Sequence, residues 1–212
     1  MLTQTYRFIV ENQEQFWSYL GQHLLLSITA LVIAILICVP LGVISAKKEW
    51  IAKYIVSSIN TLRVIPSLAI LVLLLPILGT GFLPALIALT VLACPPILIN
   101  TFQGILSVSE NQIEAAKAMG MTELQMIQKV ELPQALPSIL TGIRVAAVEV
   151  IASASLAAFI GGGGLGVFVI QGMGLYEMPT MLAGAIPIAC LALLSEGIFT
   201  LLLFINQRRV KL

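Results

Sequence analysis

Five apolar stretches, each long enough to cross a bilayer, constrain this chain more than any other feature. They run over residues 24–46, 55–78, 83–106, 139–160 and 181–205. A helix rises about 1.5 Å per residue, so about 20 apolar residues span the hydrocarbon core. No water is available there to backbone N–H and C=O groups, and a helix satisfies them internally, so a single all-α integral membrane domain over residues 1–212 is expected. Composition agrees. Of the 212 residues 59% are hydrophobic and only 10% charged, against about 25% charged in soluble domains. A soluble domain of this size leaves about 30% of its unfolded surface exposed, more than these ionic side chains could coat.

Basic residues set the orientation. Lys47, Lys48 and Lys53 lie between the first two stretches, Lys117 and Lys129 between the third and fourth, and Arg208, Arg209 and Lys211 after the fifth. These segments are expected on the cytoplasmic side. The other side carries Arg7, Glu11, Glu14, Glu177 and the uncharged turn Gly79, Thr80, Gly81. Five transmembrane helices then put the N-terminus outside and the C-terminus inside. An odd number of spans with no visible repeat leaves any two-fold symmetry to a second subunit.

With a net charge of +1 and no basic stripe, no nucleic-acid partner is indicated. Arg7, Glu11 and Glu14 precede the first apolar run and no small-residue cleavage site follows, so the first helix is expected to stay in the mature protein. Phe16, Trp17 and Tyr19 beside polar groups suit either a helix lying at the headgroups or a plain polar leader.

The only long polar connection, residues 107–137, reads SVSENQIEAAKAMGMTELQMIQKVELPQALP. Connections of this length usually carry function. Ser109 with Gln112, and Thr122 with Gln125, each have capping-box spacing, and Gly120 lies between them. Two short cytoplasmic helices hinged at Gly120 are expected, the second ended by Pro133. Leu124, Ile127 and Val130 fall at helical spacing beside Met126. Such a stripe suits a partner's groove or the protein's own helix ends. Ala115, Ala116 and Ala118 are small enough for close helix packing, and Glu114 can cap or pair.

Glu114, Ala115, Ala116, then Gly120, then Val130, Leu132 and Pro133 resemble the EAA motif of importer permeases of the ATP-binding-cassette (ABC) class: EAA, three residues, Gly, nine residues, I-x-L-P. Val130 stands where isoleucine is usual. The runs RVIPSLA (63–69), INTFQGI (99–105) and AFIGGGGLG (158–166) look like permeases of the glycine betaine, carnitine and choline uptake systems. The resemblance implies a type I importer permease fold in the bacterial cytoplasmic membrane. It makes the Thr122–Val130 helix, with Glu123 in its first turn, the coupling helix that docks on a separate ATPase. It also implies two ATPase subunits holding ATP and Mg, a second permease, identical or homologous, and an extracellular substrate-binding protein. No cofactor is expected on this chain, and no catalytic activity.

The remaining features stay open. Gly161, Gly162, Gly163 and Gly164 lack the lysine of a phosphate loop and suit a gate, a re-entrant turn or a simple tight turn. Glu149 and Glu196 fall inside spans, where an ionised acid costs roughly 2.5–3.5 kcal/mol. They face a path, where a carboxylate favours a quaternary ammonium cargo, or pair between helices. With Pro66 and Ser67 these residues are the candidate path or gate positions. Arg63 and Arg144 are expected to snorkel to the cytoplasmic interface. Pro66, Pro76, Pro95, Pro96 and Pro187 interrupt spans, as hinges or as kinks in packing. Cys38, Cys94 and Cys190 lack metal or redox spacing, and His23 has no catalytic companions. The alternatives to quaternary amine import are a methionine-type ABC permease and an ion-coupled secondary transporter working through Glu149 or Glu196.

Overall fold

The structure, a computed structural model, describes the backbone of residues 1–210, and their side chains except those of Glu49, Val56, Asn60 and residues 207–210. Of the basic cluster expected after the last span, Lys211 and the side chains of Arg208 and Arg209 therefore lie outside the described residues.

The chain opens with α1 (Leu2–Glu11), then turns at Asn12 into α2 (Gln13–Lys47), a helix of 35 residues. Phe16, Trp17 and Tyr19 belong to the first turns of α2 and not to a separate surface helix. The second expected span is not one helix. It is split into α3 (Glu49–Leu62) and α4 (Ser67–Leu78) by an irregular stretch at residues 63–66. Pro66, at φ −59° and ψ 139°, has no N–H and drives the residue before it out of helical geometry. Its carbonyl then accepts the N–H of Ala69 and of Ile70, restarting the ladder.

After the turn at residues 79–81 comes α5 (Phe82–Leu106), then α6 (Glu110–Ala118) and α7 (Glu123–Met126) in the polar connection. A π-helical turn, Ile127–Glu131, joins α7 to α8 (Leu132–Ser153), which tightens into a 3₁₀ segment, Ala154–Ile160. The short α9 (Gly166–Leu175) and long α10 (Met178–Val210) complete the fold. Among the described residues four helical runs are long and apolar enough to cross a membrane unaided: Gln13–Lys47, Phe82–Leu106, Glu123–Ile160 and Met178–Asn206. Where five continuous spans were expected, four helices of membrane length stand beside the shorter pair α3 and α4.

The core lies where α5 packs between α2 and α8. Small side chains fill it: Ala30, Ala34, Ala85, Ala93, Ala146 and Ala154 are all fully buried, as is usual where helix backbones approach closely without a hydrophobic drive from water. A Cβ on Gly142 of α8 would lie 2.6 Å from the Pro96 carbonyl oxygen of α5, so only glycine fits at this crossing. Cys38 is buried in the same core, Cys94 half-buried and Cys190 exposed, all as free thiols. Leu25 and Leu36 of α2 and Leu193 of α10 are exposed, as on lipid-facing helices, while the exposed Leu194 and Ile198 line a groove between α10, α2 and α8.

Candidate functional site

The polar connection forms a compact elbow at one end of the helix bundle. α6 closes with a paired C-terminal motif in which Met121 N–H donates to Ala116 O at 3.2 Å and Gly120 N–H to Lys117 O at 2.9 Å. That geometry needs a left-handed residue, and Gly120 supplies it at φ 75°. Immediately after it Thr122 Oγ1 accepts the Gln125 N–H at 3.4 Å while Gln125 Oε1 accepts the Thr122 N–H at 2.9 Å, closing the expected capping box. The other box does not form. Ser109 Oγ donates to the Gln112 Oε1 instead of capping the backbone, and α6 starts uncapped by any side chain.

Contrary to the expectation from sequence, Pro133 does not end the second helix. It sits in the first turn of α8, where a missing N–H is tolerated, and the π turn before it shifts the hydrogen-bond register. The segment from Glu123 is therefore continuous with a membrane-length helical run, Glu123–Ile160. Of the three alanines only Ala116 is buried; Ala115 and Ala118 are exposed, which corrects the expectation that all three pack. The apolar stripe divides. Met126 is buried and Ile127 and Val130 half-buried against the chain itself, whereas Leu124 and Met119 stand 62% and 68% exposed beside Glu114 and Glu123.

Sequence reasoning missed Glu131. It is fully buried on the π turn, and its Oε1 accepts from Lys47 Nζ, at the end of α2, at 2.5 Å. Lys47, Lys117, Glu123, Met126 and Glu131 share one cavity of about 320 Å³. The signal was available: Glu131 occupies the variable position of the motif, where an acid at the edge of an apolar span needs a cation.

At the opposite end, the 3₁₀ segment stops at Gly161, and Gly161, Gly163 and Gly164 all adopt left-handed φ of 73°, 75° and 82°. The Gly164 N–H donates to Gln22 Oε1 at 3.1 Å, and a Cβ on Gly163 would fall 2.1 Å from that same oxygen. His23, fully buried, donates from Nε2 to the Ile151 carbonyl at 3.0 Å. The Gly81 N–H donates to Ile160 O, tying the α4–α5 turn to the same end. Phe168 of α9 is held edge-on by Phe8 and Tyr19 and stacked on Phe16.

The two acids inside the helices have different surroundings. Glu196 pairs with Arg144 at 3.5 Å, and Arg144 also donates to Thr200 Oγ1, so Arg144 bridges α8 to α10 where snorkelling was expected. Glu149 faces outward from α8 and shares a cavity of about 180 Å³ with Arg63. Pro66 and Ser67 lie just beyond Arg63 at the start of α4. The candidate path residues thus do not form one cluster: the glycines stand at one end, Glu149 lines the cavity and Glu196 is tied to Arg144. Among the described residues no group of three or more His, Cys, Asp or Glu is placed to hold a metal.

Residues 38–211 match the family described as "Binding-protein-dependent transport system inner membrane component". The chain is 43% identical over 189 residues to the carnitine transport permease protein OpuCB of Listeria monocytogenes, covering 89% of this chain and 87% of that one. It is 38% identical over 209 residues to a glycine betaine/carnitine/choline transport system permease protein of Bacillus subtilis, covering 99% and 94%. Among solved structures, the inward-facing MetNI methionine ABC transporter superposes with a TM-score of 0.82 at 23% identity, over 92% of this chain and 98% of that one. At that identity the likeness is one of fold alone.

Proposed function

We infer, from the premise that this chain belongs to the binding-protein-dependent transport system inner membrane components, that it forms half of an ATP-driven import path for quaternary amine solutes such as glycine betaine, carnitine and choline. The family places it as a multi-pass protein of the bacterial plasma membrane, a transporter subunit and not an enzyme, with ATP hydrolysis in a partner. The cargo class follows the names of the relatives most similar in sequence over nearly their whole length. The methionine alternative has only fold likeness behind it, and an ion-coupled carrier would leave the elbow without a purpose.

The observation that carries the coupling role is the elbow at Gly120, with a closed C-terminal motif on one side and a closed capping box on the other. It holds Leu124, Glu114 and Glu123 outward on a rigid turn, the arrangement a docking surface requires. In this reading two ATPase subunits carrying ATP and Mg bind one such elbow from each of two permeases, and an external binding protein delivers cargo. α2, α3 with α4, α5, α8 and α10 make five crossings, with the N-terminus outside and the C-terminus inside. Support comes from the contacts at the two ends: the Lys47, Lys117 and Glu131 groups gather at one, and Gln22, Gly81, Ile160 and Gly164 at the other.

Glu149, exposed on a membrane-length helix, has no stable place against lipid and lines the path between the two permeases in this reading. The test is ATP-dependent uptake of radiolabelled glycine betaine, carnitine and choline by vesicles holding the complete complex. Uptake that requires ATP and is abolished by Gly120→Pro, with the complex still assembled, is expected. Uptake that persists without ATP overturns the assignment.

A further inference from the structure

We propose that the cavity between Arg63 and Glu149 is a transit site for zwitterionic cargo, the guanidinium receiving the carboxylate and Glu149 the quaternary ammonium. It rests on the reading of this chain as a quaternary amine permease and adds to it a place and a chemistry.

The cavity, about 180 Å³, is built from the broken span, α5 and α8. Its two charged groups, Arg63 and Glu149, are of opposite sign. Yet among the described residues the two do not close into an ion pair within 4.0 Å, whereas Lys47–Glu131 and Arg144–Glu196 do. A gap between opposite charges, open on one side, is the negative image of a molecule carrying the opposite charges at its two ends.

The α5 wall supplies the rest. Pro95 and Pro96 stand in consecutive positions inside the helix and carry no N–H, so the carbonyls of Val91 and Leu92, one turn back, lose their usual helical donors. All four residues line the cavity. A quaternary ammonium has no N–H to donate and is stabilised by carbonyl dipoles, a carboxylate and contact between its methyl groups and apolar surface. The cavity offers all three, the carboxylate coming from Glu149 on α8. A carboxylate is matched by the forked donors of arginine better than by any other side chain. The cavity has no aromatic cage, and weak holding is what a site on a path requires, since cargo must leave it.

The chemistry separates cargoes. Glycine betaine and carnitine bear both charges; choline bears only the ammonium, so Arg63 serves the first two and not the third. The experiment uses the assembled complex with Cys38, Cys94 and Cys190 replaced by alanine and Leu92→Cys as a reporter in the cavity wall. Its reaction with a methanethiosulfonate reagent is timed with glycine betaine or choline present. Glycine betaine is expected to slow modification, with the protecting concentration rising about tenfold in Arg63→Gln, the effect of losing a charge-assisted contact. Choline protection is expected not to be weakened by Arg63→Gln and to be weakened by Glu149→Gln. Absence of protection by glycine betaine, or protection indifferent to both substitutions, overturns the site. Uptake by the unsubstituted complex is measured alongside: import of a quaternary amine with an unprotected cavity sinks the site alone, whereas failure to import any sinks the cargo assignment as well.

Discussion

The Lys47 ammonium lies 2.5 Å from the carboxylate of Glu131, joining the end of the first long helix to the π turn through which α7 enters α8. Glu131 is fully buried and its second oxygen, Oε2, has no hydrogen-bond partner among the described residues, so Lys47 is the one cation there within ion-pair distance of it. Removing one partner of a buried pair leaves an uncompensated charge. Lys47→Ala is expected to cost about 2–3 kcal/mol, the lower part of the range for such breaks because Lys47 is itself partly exposed. Thermal unfolding in detergent reads this directly, and restoring stability with Lys47→Ala combined with Glu131→Leu would assign the cost to the stranded carboxylate. An unchanged unfolding temperature in Lys47→Ala would show that the pair contributes nothing.

Gly120 has open space where a Cβ would stand, so its requirement is conformational and not steric. Gly120→Asn, which tolerates a left-handed backbone, is expected to keep most ATP-driven uptake. Gly120→Val should lose it, since a β-branched residue at φ 75° is strained by roughly 1–2 kcal/mol or more. Equal activity in the two variants would remove the elbow geometry from the coupling argument.

At the α5–α8 crossing the limit is contact. A Cβ on Gly142 would meet a backbone oxygen at 2.6 Å, which cannot swing aside as a side chain can. Gly142→Ala is expected to wedge the helices apart and to destabilise by about 1–3 kcal/mol. Expression and unfolding in detergent check it against Gly197→Ala on α10, where a Cβ meets nothing within 4 Å and little change is expected.

Phe168 is 1% exposed and touches three aromatic rings from the first nineteen residues. Phe168→Ala should cost about 3–5 kcal/mol and loosen α1 from α9. Faster proteolysis of the N-terminal segment in the variant is the expected readout; unchanged cleavage would mean that α1 is held by other contacts.

Much of this was legible in the residues. The apolar runs marked α2, α5, α8 and α10 because a bilayer demands length and internal hydrogen bonding, and both are written in composition. The elbow was legible because Gly120 and the Thr122–Gln125 pair satisfy local backbone groups, within reach of a few residues. What escaped depends on a local shift of hydrogen-bond register or on partners distant in sequence. Pro133 reads as a stop until the π turn absorbs it, and Ser109 reads as a cap until its hydroxyl finds the Gln112 side chain instead. Pro66 was visible as an interruption, but not that it would split the second span outright. The helix α9 is too short and too rich in glycine to announce itself, and it is fixed by Phe168 meeting rings more than a hundred residues earlier. The Arg144–Glu196 and Lys47–Glu131 pairs likewise join elements that only the fold brings together.

α2 is fastened at two places: Lys47 to Glu131 at its C-terminal end, and, about three turns in from its start, Gln22 to the Gly164 amide and His23 to the Ile151 carbonyl. The helix between these pins is a bar of about 37 Å. A bar pinned at two points fixes a distance. If the turn bearing Glu131 is displaced, the bar must follow, bend at Pro40 or break a pin, and if it follows, the glycine turn moves with it. While both pins hold and the helix stays straight, the turn bearing Glu131 and the glycine turn keep a fixed spacing, so a displacement of either is passed to the other.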